Sequence, residues 1–152
     1  MTLSEYGLFN LLPPVGLLIG SILANRLADP MKPIQALLLG MLISTVGVLM
    51  MLLSFYFGEP TRWKLFLPIH LIYIGLSLIF TNTTSLIINE ATDKASASSV
   101  MSVFNLFINA LDVLIALFVQ LTHPIALPLI FSAVMIILLF LYYRLLKFHG
   151  FR

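Results

Sequence analysis

Asn105, Asn109 and Asp112 follow one another at helical spacing inside SSVMSVFNLFINALDVLIALFVQ, residues 98–120, a run otherwise built mainly from large apolar side chains. At about 100° per residue they share an arc of roughly 80° with Ser98, Ser102, Ala116 and Gln120. One face is polar or small, and the rest is greasy. A carboxylate beside amide side chains on such a helix can bind and release a proton, with its pKa raised by desolvation. The amides can hydrogen-bond a polar solute. They also suit a quieter role, since hydrogen bonds between membrane helices contribute about 0.6 kcal/mol each. An acid in the middle of a spanning helix costs about 2.5–3.5 kcal/mol on insertion scales, so in either role Asp112 needs protein or water around it.

A second set of polar residues, His70, Tyr73, Ser77, Thr81 and Thr84, also falls within an arc of roughly 80°. It lies on another apolar run, residues 65–88. Two striped helices in one chain suggest a cavity wall, with His70 near one end of its span, where a partly hydrated imidazole could sense pH. Enzyme chemistry finds no support. There is no glycine-rich phosphate loop, no G-x-S-x-G and no H-E-x-x-H. With no cysteine, and with His70, His123 and His149 far apart, no metal-ligand spacing appears either. The sequence implies neither a cofactor nor a metal.

These stripes need apolar elements to carry them, and the composition supplies those. Of 152 residues 61% are hydrophobic and 9% charged, and the mean hydropathy is +1.09. That is more apolar surface than a water-soluble domain of this size can hide, so the partner is the lipid bilayer. The net charge of +2 does not point to nucleic acid, because the eight basic residues are scattered over segment ends instead of forming a patch. The N-terminus lacks a basic n-region. The first apolar run is therefore expected to stay as a span, with the chain starting at or near Met1.

Five apolar stretches approach the roughly 20 residues that cross a 30 Å hydrocarbon layer. They lie at about 7–28, 34–57, 65–88, 99–121 and 125–146, and together predict an all-α bundle of five transmembrane helices in one membrane domain. Short links between them imply antiparallel neighbours. Arg26, Lys32, Lys94, Arg144, Lys147 and Arg152 fall on one side, and Arg62 and Lys64 on the other. The positive-inside rule then puts the C-terminus in the cytoplasm and the N-terminus outside.

Gly16, Gly20 and Ala24 form a small-xxx-small face suited to close helix packing. Pro13 and Pro14 either kink the first helix or open it, since both fit the sequence. Spans two and five, with few polar residues, read as lipid-facing. Arg26 and Asp29 read as a cytoplasmic surface pair, and Lys147, His149 and Arg152 as topology anchors near anionic headgroups.

Two stretches, GLFNLLPPVGLLIGSILANRLADPMKPIQALLLGMLI and ATDKASASSVMSVFNLFINAL, resemble the C-terminal half of a major facilitator superfamily transporter of the bicyclomycin-resistance drug:proton antiporter type. Gly20 and Arg26 stand six apart, similar to that group's G-S-x-L-x-x-R-L pattern, although the loop signature is reduced to Asn25, Arg26, Asp29 and Lys32. The resemblance implies that the five spans are helices eight to twelve, with one helix of the half and the whole N-terminal half missing. It further implies proton-coupled efflux of a drug or other small molecule across a bacterial inner membrane. The residues the two stripes offer to such a pathway are Asp112, Asn109, Asn105, His70, Tyr73 and Thr81. Such a truncated chain is expected to need its missing half or a second copy. The competing expectation is a stand-alone membrane scaffold or partner subunit without transport activity.

Overall fold

A computed structural model describes residues 11–57, 62–118 and 126–149, and within these helices the side chains of residues 108, 109, 111–118, 126, 127, 148 and 149 are among those outside the description. Five α-helices follow one another: α1 (Leu12–Leu27), α2 (Pro33–Tyr56), α3 (Arg62–Glu90), α4 (Lys94–Phe118) and α5 (Ala126–His149). No strand occurs among the described residues.

The helix starts follow local chemistry. Pro13 and Pro14 occupy the first turn of α1, where a missing amide removes no intrahelical bond. Pro33 opens α2 and pushes Lys32 before it into extended backbone, with ψ of 144°. The Gln35 side-chain oxygen then accepts the Lys32 amide at 3.2 Å. Asp93 begins α4 by accepting the amides of Ala95 at 3.0 Å and Ser96 at 3.3 Å, two of the donors a helix start leaves without partners.

The long helix α3 is the centre of the bundle, clamped between α1 and α2 on opposite faces. Gly16 meets His70 and Tyr73, while Gly20 meets Ile74 and Ser77, so α1 and α3 run parallel. On the other face Gly40 meets Gly75 and Leu78, and Gly47 meets Pro68 and Ile72, so α2 runs antiparallel to α3. Small residues let these backbones approach closely. Met51, Ile72 and Leu78 are fully buried in this core, with Leu37, Met41, Val48, Ile79 and Met135 around them. Helix α5 lies against α2, and Tyr142 donates to the Ile34 carbonyl at 3.5 Å. Among the described residues α4 touches the rest sparsely, mainly through α3.

Among the described residues three helical segments, not the expected five, are long and apolar enough to cross a membrane: Pro33–Tyr56, Phe66–Glu90 and Pro128–Lys147. The start of the expected first span, residues 7–10, and the end of the fourth, 119–121, lie outside the described residues. The 16 residues of α1 extend about 24 Å at 1.5 Å each, less than a hydrocarbon core of about 30 Å. Helix α2 has two faces: Leu42, Val46, Leu49 and Leu53 are exposed, while Ala36, Gly40, Ser44 and Gly47 form a buried small-residue face that seats it on α3. Scarcity of polar residues marked the exposed face, and the small residues mark the tight helix contact. Helix α5, by contrast, is almost unburied.

Candidate functional site

The polar stripe of α3 is used up, over most of its length, by α1. A methyl group on Gly16 would lie 2.8 Å from the His70 carbonyl oxygen, 3.1 Å from Tyr73 Cβ and 3.2 Å from His70 Nδ1. One turn further on, the Leu17 carbonyl accepts the Ser21 hydroxyl at 2.9 Å and the Ser77 hydroxyl at 3.0 Å, and the two hydroxyl oxygens are 3.0 Å apart. His70, Tyr73 and Ser77 are therefore a bed for a neighbouring helix. Ser77 is buried in this contact, while His70 and Tyr73 are half-buried. A polar stripe satisfies a serine-bearing helix as well as it satisfies water, and one sequence alone does not say which of the two faces it.

Further along α3, Thr81 is exposed, and the Thr84 hydroxyl is buried without a hydrogen-bond partner among the described atoms. Between them Asn82 is buried and donates its side-chain amide to the Leu78 carbonyl at 2.8 Å. Asn82 falls outside the stripe, on the flank packed into the bundle, and no stripe pattern marks it. Ser44 is fully buried and donates to the Ile72 carbonyl at 3.3 Å, tying α2 to α3. Its signal was the Ala36-xxx-Gly40-xxx-Ser44 spacing.

Helix α4 presents a different environment. Ser98 and Ser102 are exposed and Asn105 is half-buried. Val103, Phe104, Leu106 and Phe107 are each more than 60% exposed. The hydroxyl of Ser99 donates to the Ala95 carbonyl and that of Ser102 to the Ser98 carbonyl, both at 3.0 Å, so these side chains fold back on their own helix. Asn109 and Asp112 are on α4 by position, but their side chains lie outside the described residues. His70 and Tyr73 on α3 and Asn105 on α4 are thus carried by helices that barely meet.

Arg26 sits in the last turn of α1, where a cation suits the negative end of the helix dipole, and Asp29 lies in the following link; both are exposed. At the start of α4 the Asp93 carboxyl is held below its ordinary value of 3.8, first by the Ser96 hydroxyl and then by the amides of Ser96 and Ala95. Among the described residues no group of three His, Asp or Glu side chains is placed to hold a metal ion.

One cavity, which no motif announced, opens where the C-terminal halves of α3 and α5 meet the start of α2. It encloses about 530 Å³. Its walls are aliphatic except for Lys32, Thr83, Glu90 and Tyr142. It brings together Lys32, just before α2, with Glu90 of α3 and Leu145 of α5, and so puts the first turn of α2 and the last turns of α3 and α5 at one end of the bundle.

No protein family, no curated protein and no solved structure matches this chain.

Proposed function

We propose that the chain is a membrane-embedded part of a secondary transporter that exports a drug-like or other small molecule in exchange for protons, and that α4 is the face on which the rest of the pathway closes. The observation that carries this reading is how little the rest of the bundle touches α4 among the described residues. That helix carries Asp112 in its sequence, and its stripe residues Ser98 and Ser102 are exposed. Intramembrane acids most often mark ion or proton pathways. The likeness of two stretches to the C-terminal half of a major facilitator transporter supports the same reading, with the five helices as its helices eight to twelve, all crossing a bacterial inner membrane and the cationic helix ends in the cytoplasm. Asp112 would be the titrating group, and Asn105 and Asn109 would hydrogen-bond the solute or brace the carboxylate. Two halves must rock about a shared midplane site in such transporters, so the chain would work with a second half or a second copy.

The test is flux in proteoliposomes. An imposed pH gradient should drive a lipophilic cationic dye across vesicles containing the chain together with a supplied N-terminal transporter half, and Asp112→Asn should abolish that flux while helix content stays unchanged. Absence of flux from the chain alone and from the combination would overturn the proposal. A second reading, a scaffold or partner subunit without transport, is favoured by the packing of α1 against His70, Tyr73 and Ser77, which engages that part of the stripe with a helix of the chain itself. That reading predicts a stable complex and no flux.

A further inference from the structure

Small and polar residues repeat along α4 in alternating steps of three and four, at Ala95, Ser98, Ser102 and Asn105, and the sequence continues the series at Asn109, Asp112 and Ala116. A period of about 3.5 residues is the seam of two helices wound left-handedly around each other. The described part of this seam is little used inside the chain. Ala95, Ser98 and Ser102 are exposed, while Ala97 and Met101 on the flank beside them are half-buried. Asn105 is half-buried as well, yet its side-chain amide has no hydrogen-bond partner among the described residues. It stands about 16 Å along α4 from Lys94, at 1.5 Å per residue, roughly half of a hydrocarbon core of about 30 Å. An amide without a partner at that depth is costly.

We propose that the α4 seam is filled by α4 of a second copy of this chain, the two helices running parallel. The proposal rests on the transport reading, in which α4 crosses the membrane, and names the partner of its open face. Identical copies insert with the same orientation, so each seam residue meets its own counterpart across a twofold axis. An asparagine amide is its own complement, because it carries both donors and an acceptor. A lipid chain offers it neither. Ala95, Ser98 and Ser102 are small enough to let two backbones approach. The Ser102 hydroxyl is donated to the Ser98 carbonyl at 3.0 Å and keeps its lone pairs for a donor on the other copy. None of these four residues is charged, so no layer among them sets like charges face to face. Where the sequence continues the seam to Asp112, two carboxyls would share one proton instead of both ionising, and that is the proton the transport reading moves.

The experiment uses the full chain in lipid vesicles at high lipid excess, with no substrate and no pH gradient, so its outcome is separate from that of the flux measurement. The chain has no cysteine. Single thiols can be placed at Ser98, in the seam, or at Val100, which is exposed on the opposite side of the helix. Under mild oxidation Ser98→Cys should give a disulfide-linked dimer and Val100→Cys should not, since cysteines whose Cα atoms lie more than about 7 Å apart are not bridged. Energy transfer between labelled copies should show dimerisation weakened about tenfold by Asn105→Leu, the factor of one interhelical hydrogen bond, and kept by Asn105→Gln. Circular dichroism should show unchanged helix content in both. No dimer from Ser98→Cys, an equal yield from Val100→Cys, or full dimerisation of folded Asn105→Leu would overturn the proposal. Loss of the Ser98→Cys dimer on adding an N-terminal transporter half would overturn it too, by giving the seam to that half.

Discussion

Ser77 of α3 lies so close to Gly20 of α1 that a methyl group on Gly20 would stand 2.6 Å from Ser77 Cβ and 2.5 Å from the Ile74 carbonyl oxygen. The contact is made of shape first and of the hydrogen bond from Ser77 to Leu17 second. Overpacking costs about 1–3 kcal/mol, whereas an interhelical hydrogen bond in a membrane contributes about 0.6 kcal/mol. Gly20→Ala should therefore destabilise the bundle more than Ser77→Ala does. Reversible unfolding in mixed detergent, followed by circular dichroism, checks the order. A larger loss from Ser77→Ala would mean that the polar bond, and not the close approach, holds α1 to α3.

The opposite face of α3 is tighter still. A Cβ at Gly75 would run into the Ser44 hydroxyl and the Gly40 carbonyl, with the Ser44 amide nitrogen 2.7 Å away. All of these but the hydroxyl are backbone atoms, which cannot swing aside. Gly75→Ala should cost about 3 kcal/mol, the upper end for overpacking, and should exceed Gly20→Ala and Gly16→Ala in the same assay.

Asp93 provides a pH handle outside the spans. Its folded pKa is depressed by the Ser96 hydroxyl and the Ser96 and Ala95 amides, so the stabilisation it gives the start of α4 is present above the unfolded value of 3.8 and is lost as pH falls through the lower folded value. Backbone amides of Ala95–Ala97 should exchange hydrogen faster, relative to other α4 amides, as pH drops below about 4. Asp93→Ala should show the faster exchange already at neutral pH and no further change on acidification.

The all-helical architecture was legible because apolar runs near span length have few other solutions, and the close approach of α1 was legible in Gly16 and Gly20. The orientation of the stripes was not. The α3 stripe faces a helix that carries its own hydroxyl, Ser21, and a single helical wheel cannot say whether its polar side meets water, solute or serine. Nor could it reveal that Gly40, Ser44 and Gly75 seat α2 against α3, since that contact depends on the register between two segments about 30 residues apart. The groove escaped for the same reason, because its lining comes from three helices and no local pattern marks it.

Water access along α4 tests the central claim most directly. The chain has no cysteine, so a single thiol can be introduced without background at Ser102, on the stripe, or at Phe104, on the opposite side of the helix. A thiol in contact with water ionises, and only the thiolate reacts readily with a water-soluble maleimide. In lipid vesicles Ser102→Cys should be labelled at least about tenfold faster than Phe104→Cys, the factor produced by one pKa unit. Equal rates, or faster labelling at Phe104→Cys, would contradict the placement of the α4 stripe on an aqueous pathway.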